Sequence, residues 1–222
     1  MPFENREQAA KMLAERLKKY RGRRPLVLGI PRGGVAMAGV MADALDGEVD
    51  VVLVHKLGAP GQPEFAIGSI DEGGRVYLAG VVDRLGVPKS YIAEETRHQI
   101  ENMRKRRAQY TPVRPPISPA GRVVSVVDDG LATGATMVAA LHAVRARKPA
   151  RLIAATAVAP AETVERIGPL ADEVVCLEVP AQFFAVGQFF RDFGQVEDEE
   201  VIAILRRYGP RGATEEKPDK PT

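Results

Sequence analysis

Two adjacent carboxylates, Asp128 and Asp129, end the apolar run Val123-Val-Ser-Val-Val127 and are followed by Gly130-Leu-Ala-Thr-Gly-Ala-Thr136. A short apolar run of this kind reads as a buried strand, which delivers both acids to its carboxyl end. Two ionised carboxyls side by side repel each other; a cation between them, or a ligand presenting vicinal hydroxyls, makes the pair sensible. The residues that follow (Gly130, Leu131, Ala132, Thr133, Gly134, Ala135 and Thr136) are small and hydroxyl-rich and lead into a helix. Free backbone N–H groups, the positive end of the helix dipole and the hydroxyls of Thr133 and Thr136 would cradle a phosphate. Carboxylates for a diol beside a cradle for a phosphate describe a ribose 5-phosphate site. No Gly-Lys-Ser/Thr closes the loop, so it is not a P-loop.

Two other readings compete. A surface turn often carries Asp-Gly, which accounts for Gly130 but not for the acid pair. Phosphotransfer sites of the receiver and haloacid-dehalogenase kinds also place acids at strand ends, without the hydroxyl-rich loop.

A second anion site is spelled by Gly29-Ile-Pro-Arg-Gly-Gly-Val35. Gly33 and Gly34 let backbone approach a ligand closely, and Arg32 offers a planar fork of donors for phosphate. By itself this is also the sequence of a tight turn with a solvated arginine. His55 and Lys56 end the next apolar run and face the same edge. Between Phe183 and Phe193, five of the chain's seven phenylalanines fall within eleven residues, either as a small satellite core or as a stacking surface. The basic run 104–107 reads as a solvated helix face or as cations that close over a ligand.

The elements that must position these residues alternate. Helical periodicity covers residues 4–20, where Asn5 and Gln8 resemble a capping box. A strand at 25–30 is followed by a helix from Gly33-Gly34 to about Leu45 and a strand at 49–54. Residues 56–64 are rich in glycine and proline and read as a loop; 66–70 and 75–78 read as a hairpin. A polar helix follows Pro88 to about Tyr110. Then come a strand at 123–127, a helix at 134–147, a strand at 151–158, a helix at 161–171, a strand at 173–177 and a helix at 197–208. Buried strands separated by helices predict a doubly wound, mostly parallel α/β sheet that binds ligands at the carboxyl ends of its strands. The domain spans 1–208, and 209–222 has too little to bury and reads as a disordered tail.

Composition bounds the class. The chain has 222 residues, 45% hydrophobic and 27% charged, which suits one globular domain and excludes wholesale disorder. Lys+Arg 31 against Asp+Glu 29 leaves +2, too little for the broad positive field of a nucleic-acid-binding domain. The single cysteine, Cys176, excludes an internal disulfide and argues against a cysteine zinc site. No apolar run reaches the roughly 18 residues of a membrane span, and the charged start lacks a signal peptide's apolar stretch. A soluble, cytoplasmic protein without membrane partners is expected.

The stretch Val-Val-Ser-Val-Val-Asp-Asp-Gly-Leu-Ala-Thr-Gly-Ala-Thr, residues 123–136, resembles the signature of type I phosphoribosyltransferases, which use phosphoribosyl pyrophosphate (PRPP), and the similarity extends over most of 24–198. The resemblance implies a parallel sheet flanked by helices, a small hood near 178–198 and a hairpin/helix flap. It implies that Asp128 and Asp129 hold the ribose hydroxyls, directly or through Mg²⁺, and that residues 131–136 hold the 5-phosphate. Arg32, Gly33 and Gly34 fall in the family's pyrophosphate loop, where an unusual cis peptide often occurs, and Lys56 falls at a pyrophosphate contact. His55 stands where adenine and xanthine enzymes often carry arginine. Phe184 and Asp192 match the hood of 6-oxopurine enzymes, with one extra residue before the Asp; there a ring stacks on the base and the acid reaches the metal–pyrophosphate. In those enzymes an Asp precedes the Thr-Gly of the signature, whereas this chain has Ala132. The implied activity is Mg²⁺-dependent phosphoribosyl transfer from PRPP to a nitrogen acceptor in nucleotide salvage, in a chain that could pair as a homodimer. A PRPP-sensing regulator with little transfer is the alternative.

Overall fold

The computed structural model describes residues 2–78 and 80–209. The first part of the chain forms α1 (Arg6–Arg16), β1 (Leu26–Gly29), α2 (Gly33–Leu45), β2 (Glu48–Val51), β3 (Val54–Ala59), β4 (Gln62–Asp71), β5 (Val76–Leu78), α3 (Val81–Arg84) and α4 (Lys89–Tyr110). The second part forms β6 (Val123–Gly130), α5 (Ala135–Arg145), β7 (Arg151–Val158), α6 (Ala161–Ile167), β8 (Glu173–Glu178) and α7 (Asp198–Arg207).

Five strands pair in the order β2-β1-β6-β7-β8, all parallel. Both faces are covered, so the central strands β1, β6 and β7 are mostly apolar, with side chains alternating between two cores. Val27, Val127, Ile153 and Ala155 point to the side packed by α1 and α2. Leu26, Leu28, Val126 and Leu152 point to the side that holds Met137 and Leu141 of α5 and Ile167 of α6. The expected doubly wound sheet is present, beside a small antiparallel sheet, β3-β4-β5.

Helix α1 starts where the sequence places its cap. Asn5 Oδ1 accepts the Gln8 N–H at 2.9 Å. The Gln8 carboxamide reaches back to the Glu4 N–H at 2.7 Å, one residue earlier than a capping box requires.

Two expectations need correction. Residues 56–64 are not a loop: β3 and β4 pair antiparallel through them, with Ala59 opposite Gln62 across a Pro60-Gly61 turn and register shifts on either side of Gly58. Glycine and proline read locally as strand breakers, but here they lie at a turn and beside irregular pairing, where strands tolerate them. The strand expected at 49–54 is accordingly split, with β2 ending at Val51 and β3 starting at Val54. Nor is the basic run a uniformly solvated face. Arg107 is largely withdrawn from solvent, its side chain 13% exposed, donating to Glu72 at 2.7 and 2.9 Å and to Asp50 at 3.1 Å. It ties α4 to β2 and the small sheet. Apart from Gly209, the expected tail lies outside the described residues. Among the described residues, no helix is long and apolar enough to cross a membrane.

Candidate active site

The strand order reverses between β1 and β6. The chain leaves β1 towards β2 on one side and leaves β6 towards β7 on the other, so the two following loops diverge and open a crevice at the carboxyl edge. These are the two loops singled out from the sequence. Gly29 is in register with Val127, and Ile30 N–H donates to the Val127 carbonyl at 2.9 Å. That register brings residues 31–34 against the acid pair. A Cβ on Gly33 would collide with Asp129 Oδ2, and one on Gly34 with the Val127 carbonyl. Glycine is therefore required at 34, where the clash is with backbone, while a Cβ at 33 would push the Asp129 carboxylate aside. The peptide bond between Pro31 and Arg32 is cis.

Asp128 and Asp129 have different surroundings. Asp128 Oδ1 accepts the N–H of Asp129 at 3.0 Å. Asp129 Oδ2 accepts from Nε of Arg6 at 2.7 Å, a pair with side chains only 14% and 15% exposed. Burial, and then the charge of Asp129, push the Asp128 carboxyl well above the usual carboxylate range; the Asp129 N–H and Arg6 oppose this. The opposite surroundings predict opposite stability effects. An acid whose folded pKa is raised costs stability as pH rises above its unfolded value of about 4. Asp128→Asn should therefore raise the melting temperature at pH 7 by a few degrees, about 2–4 °C per kcal/mol relieved, and the gain should vanish near pH 3. Asp129→Asn should lower it, because Arg6 is left without its partner. Thermal scans of both variants across that range check the pair.

The loop after β6 is braced from α6. Leu131 N–H donates to the Val158 carbonyl at 2.9 Å. The carbonyl of Ala132 accepts from the Thr163 hydroxyl, and that of Thr133 from Arg166, both at 2.8 Å. With those carbonyls turned to α6, the N–H groups of residues 132–134 meet no protein acceptor among the described residues. They lie at the start of α5, where the helix leaves donors unsatisfied. Gly134 takes φ +70° before that helix, a conformation that favours glycine.

On the other side of the β1 loop lies a cavity of about 440 Å³ whose wall includes Pro31, His55, Arg106, Gln109, Thr136 and Asp198. His55 lines it and Lys56 does not, since successive strand residues point to opposite faces. Burial holds the His55 imidazole below its usual pKa. Arg32 donates to Glu197 at 3.1 Å.

Most of the phenylalanine-rich segment packs inward. Phe183 stacks on Phe189 at 5.6 Å, Phe190 on Phe193 at 4.9 Å, and Phe3 meets Phe190 at 5.3 Å. Rather than forming a separate satellite, they extend the core under α1 and α2, to which Phe3 and Phe190 belong and against which Phe189 and Phe193 pack. Phe184 is left out of it, 85% exposed. Val186 covers Gly130, so close that a Cβ there would collide with it. The segment thus lies over the end of β6. Asp192 is exposed on it, its carboxylate accepting from Gly194 N–H at 3.3 Å.

The geometry therefore brings together Arg32, Gly33, Gly34, Asp128, Asp129 and residues 130–136, with the hood above, and leaves Lys56 off the cavity wall. Sequence reasoning missed Arg6, Thr163, Arg166 and Glu197. The Asn5 cap located α1 but carried no signal for where Arg6 would reach.

The model of the phosphoribosyl transferase domain matches residues 4–189. Two Mycobacterium tuberculosis sequences, from strains CDC 1551 and H37Rv, carry a provisional phosphoribosyl transferase name. Each is 40% identical over 224 residues, covering 99% of this chain. The chain spans about half (51%) of their length. The crystal structure of TT1426 from Thermus thermophilus is 47% identical, with a TM-score of 0.85 over 95% of this chain and 100% of that one. The chain belongs to the phosphoribosyl transferase domain family.

Proposed function

We propose that the chain transfers a phosphoribosyl group from PRPP to a nitrogen acceptor, releasing pyrophosphate. The observation that carries this reading is the meeting, at one switch point, of the Asp128-Asp129 pair, the α6-braced loop and the Gly33-Gly34 loop. Asp128 and Asp129 bind the ribose hydroxyls. Ala132, Thr133, Gly134, Ala135 and Thr136 hold the 5-phosphate with backbone N–H groups and hydroxyls, and Leu131 anchors the loop. Arg32, Gly33 and Gly34 take the pyrophosphate, with Asp192 above it; Lys56, which is off the cavity wall, is assigned to it by the family resemblance alone. As the C1–O bond to pyrophosphate breaks, positive charge develops on the ribose ring beside the carboxylates. The C1–O electron pair leaves with pyrophosphate, the acceptor nitrogen's lone pair bonds to C1, and the nitrogen's proton passes to water or to the departing pyrophosphate. The site contributes position and charge.

The residues also fit Mg²⁺. Two hard carboxylates suit an ion that takes one or two protein oxygens and completes its shell with water and substrate phosphates. No group of three or more His, Cys, Asp or Glu forms a ready-made cage among the described residues. Asp128 and Asp129 would hold the ion, directly or through water, and it would supply charge that neutralises the leaving pyrophosphate.

Ala132 offers no carboxylate beside the base. We therefore expect weak activity on hypoxanthine and guanine, and a preference for an adenine-like base or another nitrogen nucleophile. Pyrophosphate release from PRPP and Mg²⁺, followed across nucleobases and small amines, tests this reading. Tight PRPP binding without release in any acceptor's presence would instead make the protein a PRPP sensor.

The two anion loops should separate by ligand. Thr133→Val or Thr136→Val should weaken ribose 5-phosphate and PRPP alike. Arg32→Ala and Lys56→Ala should weaken PRPP and pyrophosphate by roughly tenfold or more, the value of a charge-assisted contact, and spare ribose 5-phosphate. Calorimetric titration of the four variants decides it; equal losses for every ligand would show one undivided site.

A further inference from the structure

Arg6 is the first residue of α1. A cation there opposes the helix dipole, which favours acids at that end. What its side chain reaches accounts for it better than anything in α1. Besides Asp129, the guanidinium donates from Nη1 to the Gly194 carbonyl at 2.6 Å and lies 3.9 Å from the centre of the Phe193 ring. Its Nε sits 3.1 Å from where a Cβ on Gly33 would be, beside the β1 loop. The preceding residues hold it in place. Phe3 N–H donates to the Phe189 carbonyl at 2.7 Å, while the N–H groups of Arg191 and Asp192 donate to the carbonyls of Phe3 and Glu4 at 2.8 and 2.9 Å. Arg6 is thus fixed from the hood side and from the acid pair at once, with 15% of its side chain exposed.

We propose that Arg6 is a positioning residue that acts as the resident counter-ion of Asp129, shielding the acid pair from free divalent cation until a ligand brings its own oxygens. A divalent ion approaching Asp129 in the substrate-free chain meets a guanidinium already bonded to Oδ2. With one carboxylate engaged, the pair offers a hard cation little net charge, and Mg²⁺ gives up its waters reluctantly. Substrate phosphates supply the missing charge and oxygens. The inference rests on reading the acid pair as the ribose and metal site.

Mn²⁺ binding to the full chain without substrate, followed by the electron paramagnetic resonance of the free ion, tests it. The unmodified chain should bind Mn²⁺ weakly. Arg6→Gln, which keeps an N–H donor and drops the charge, should bind about tenfold tighter or more, as loss of a positive charge in contact with the site requires. Arg6→Lys should restore weak binding, and adding Asp129→Asn to Arg6→Gln should abolish the gain. Should Arg6→Gln fail to fold, Arg6→Met, which keeps packing on Phe193, carries the same expectation. Equal Mn²⁺ affinity with and without the Arg6 charge overturns the proposal, as does a gain that survives Asp129→Asn. Ribose 5-phosphate titration of the same proteins keeps the two readings apart: tighter Mn²⁺ in a chain that binds no ribose 5-phosphate supports the counter-ion and refutes the ribose site.

Discussion

Asp128→Asn and Asp129→Asn should each cut PRPP affinity or turnover by about 10- to 100-fold while the far-ultraviolet circular dichroism stays that of the unmodified chain. A hydrogen bond to a charged group is worth about 1.5–3 kcal/mol, and each substitution replaces an acceptor oxygen with a donor amide. Turnover should suffer more than binding, because positive charge on the ribose appears only as the C1–O bond breaks and the carboxylates face that charge. Stability separates this loss from unfolding. Asp128→Asn is expected to be impaired by that factor and yet more stable, since it removes an acid that burial and Asp129 disfavour. A variant that gains stability and loses function has lost a group retained for function. Steady-state pyrophosphate release with calorimetric binding of PRPP makes the measurement. Normal affinity and turnover in both variants would remove the ribose assignment altogether.

Phe184→Ala should raise the acceptor KM by roughly ten- to a hundredfold and leave PRPP affinity nearly unchanged. Stacking of a base on an aromatic ring is worth about 1–3 kcal/mol, and a loss confined to acceptor binding emerges in KM. The four neighbouring rings, Phe183, Phe189, Phe190 and Phe193, satisfy one another, whereas Phe184 is 85% exposed. An exposed ring contributes little to folding, so the melting temperature should scarcely move. Phe190→Ala, at a ring only 6% exposed, should be destabilising by about 3–5 kcal/mol. The contrast tells a ligand platform from a core residue. An unaltered acceptor KM in Phe184→Ala would withdraw the hood assignment, and efficient guanine transfer by the unmodified chain would refute the argument from Ala132.

Much of the site was legible because its main parts are local. An apolar strand, the acids at its end, a small hydroxyl-rich loop and a helix start form one continuous stretch, residues 123–136, and each step follows from burial, charge and backbone geometry within it. The same holds for residues 29–35. Alternating elements also implied a parallel sheet, and a parallel sheet puts every strand's carboxyl end on one edge. The two loops therefore had to share an edge. That they are neighbours is a different matter, decided by the pairing of β1 with β6 across nearly a hundred residues of chain.

What only the tertiary structure decided is every contact made across such a distance. Arg6 and Asp129 are 123 residues apart, and Thr163 reaches Ala132 across 31. Arg107, in a run that reads as solvated, is drawn inward because Asp50 and Glu72 come to lie beneath it. Residues 56–59 and 62–64 became strand because β3 and β4 pair with each other, and no local preference for glycine or proline could anticipate that pairing. Among five clustered phenylalanines, composition could not say which would stay outside. Propensity and periodicity act over a few residues, while the partner of a charge or a ring is set by how helices cross the sheet. The sequence determined which chemistry the edge could hold; the packing of α1, α6 and the hood decided which charges and rings would face it.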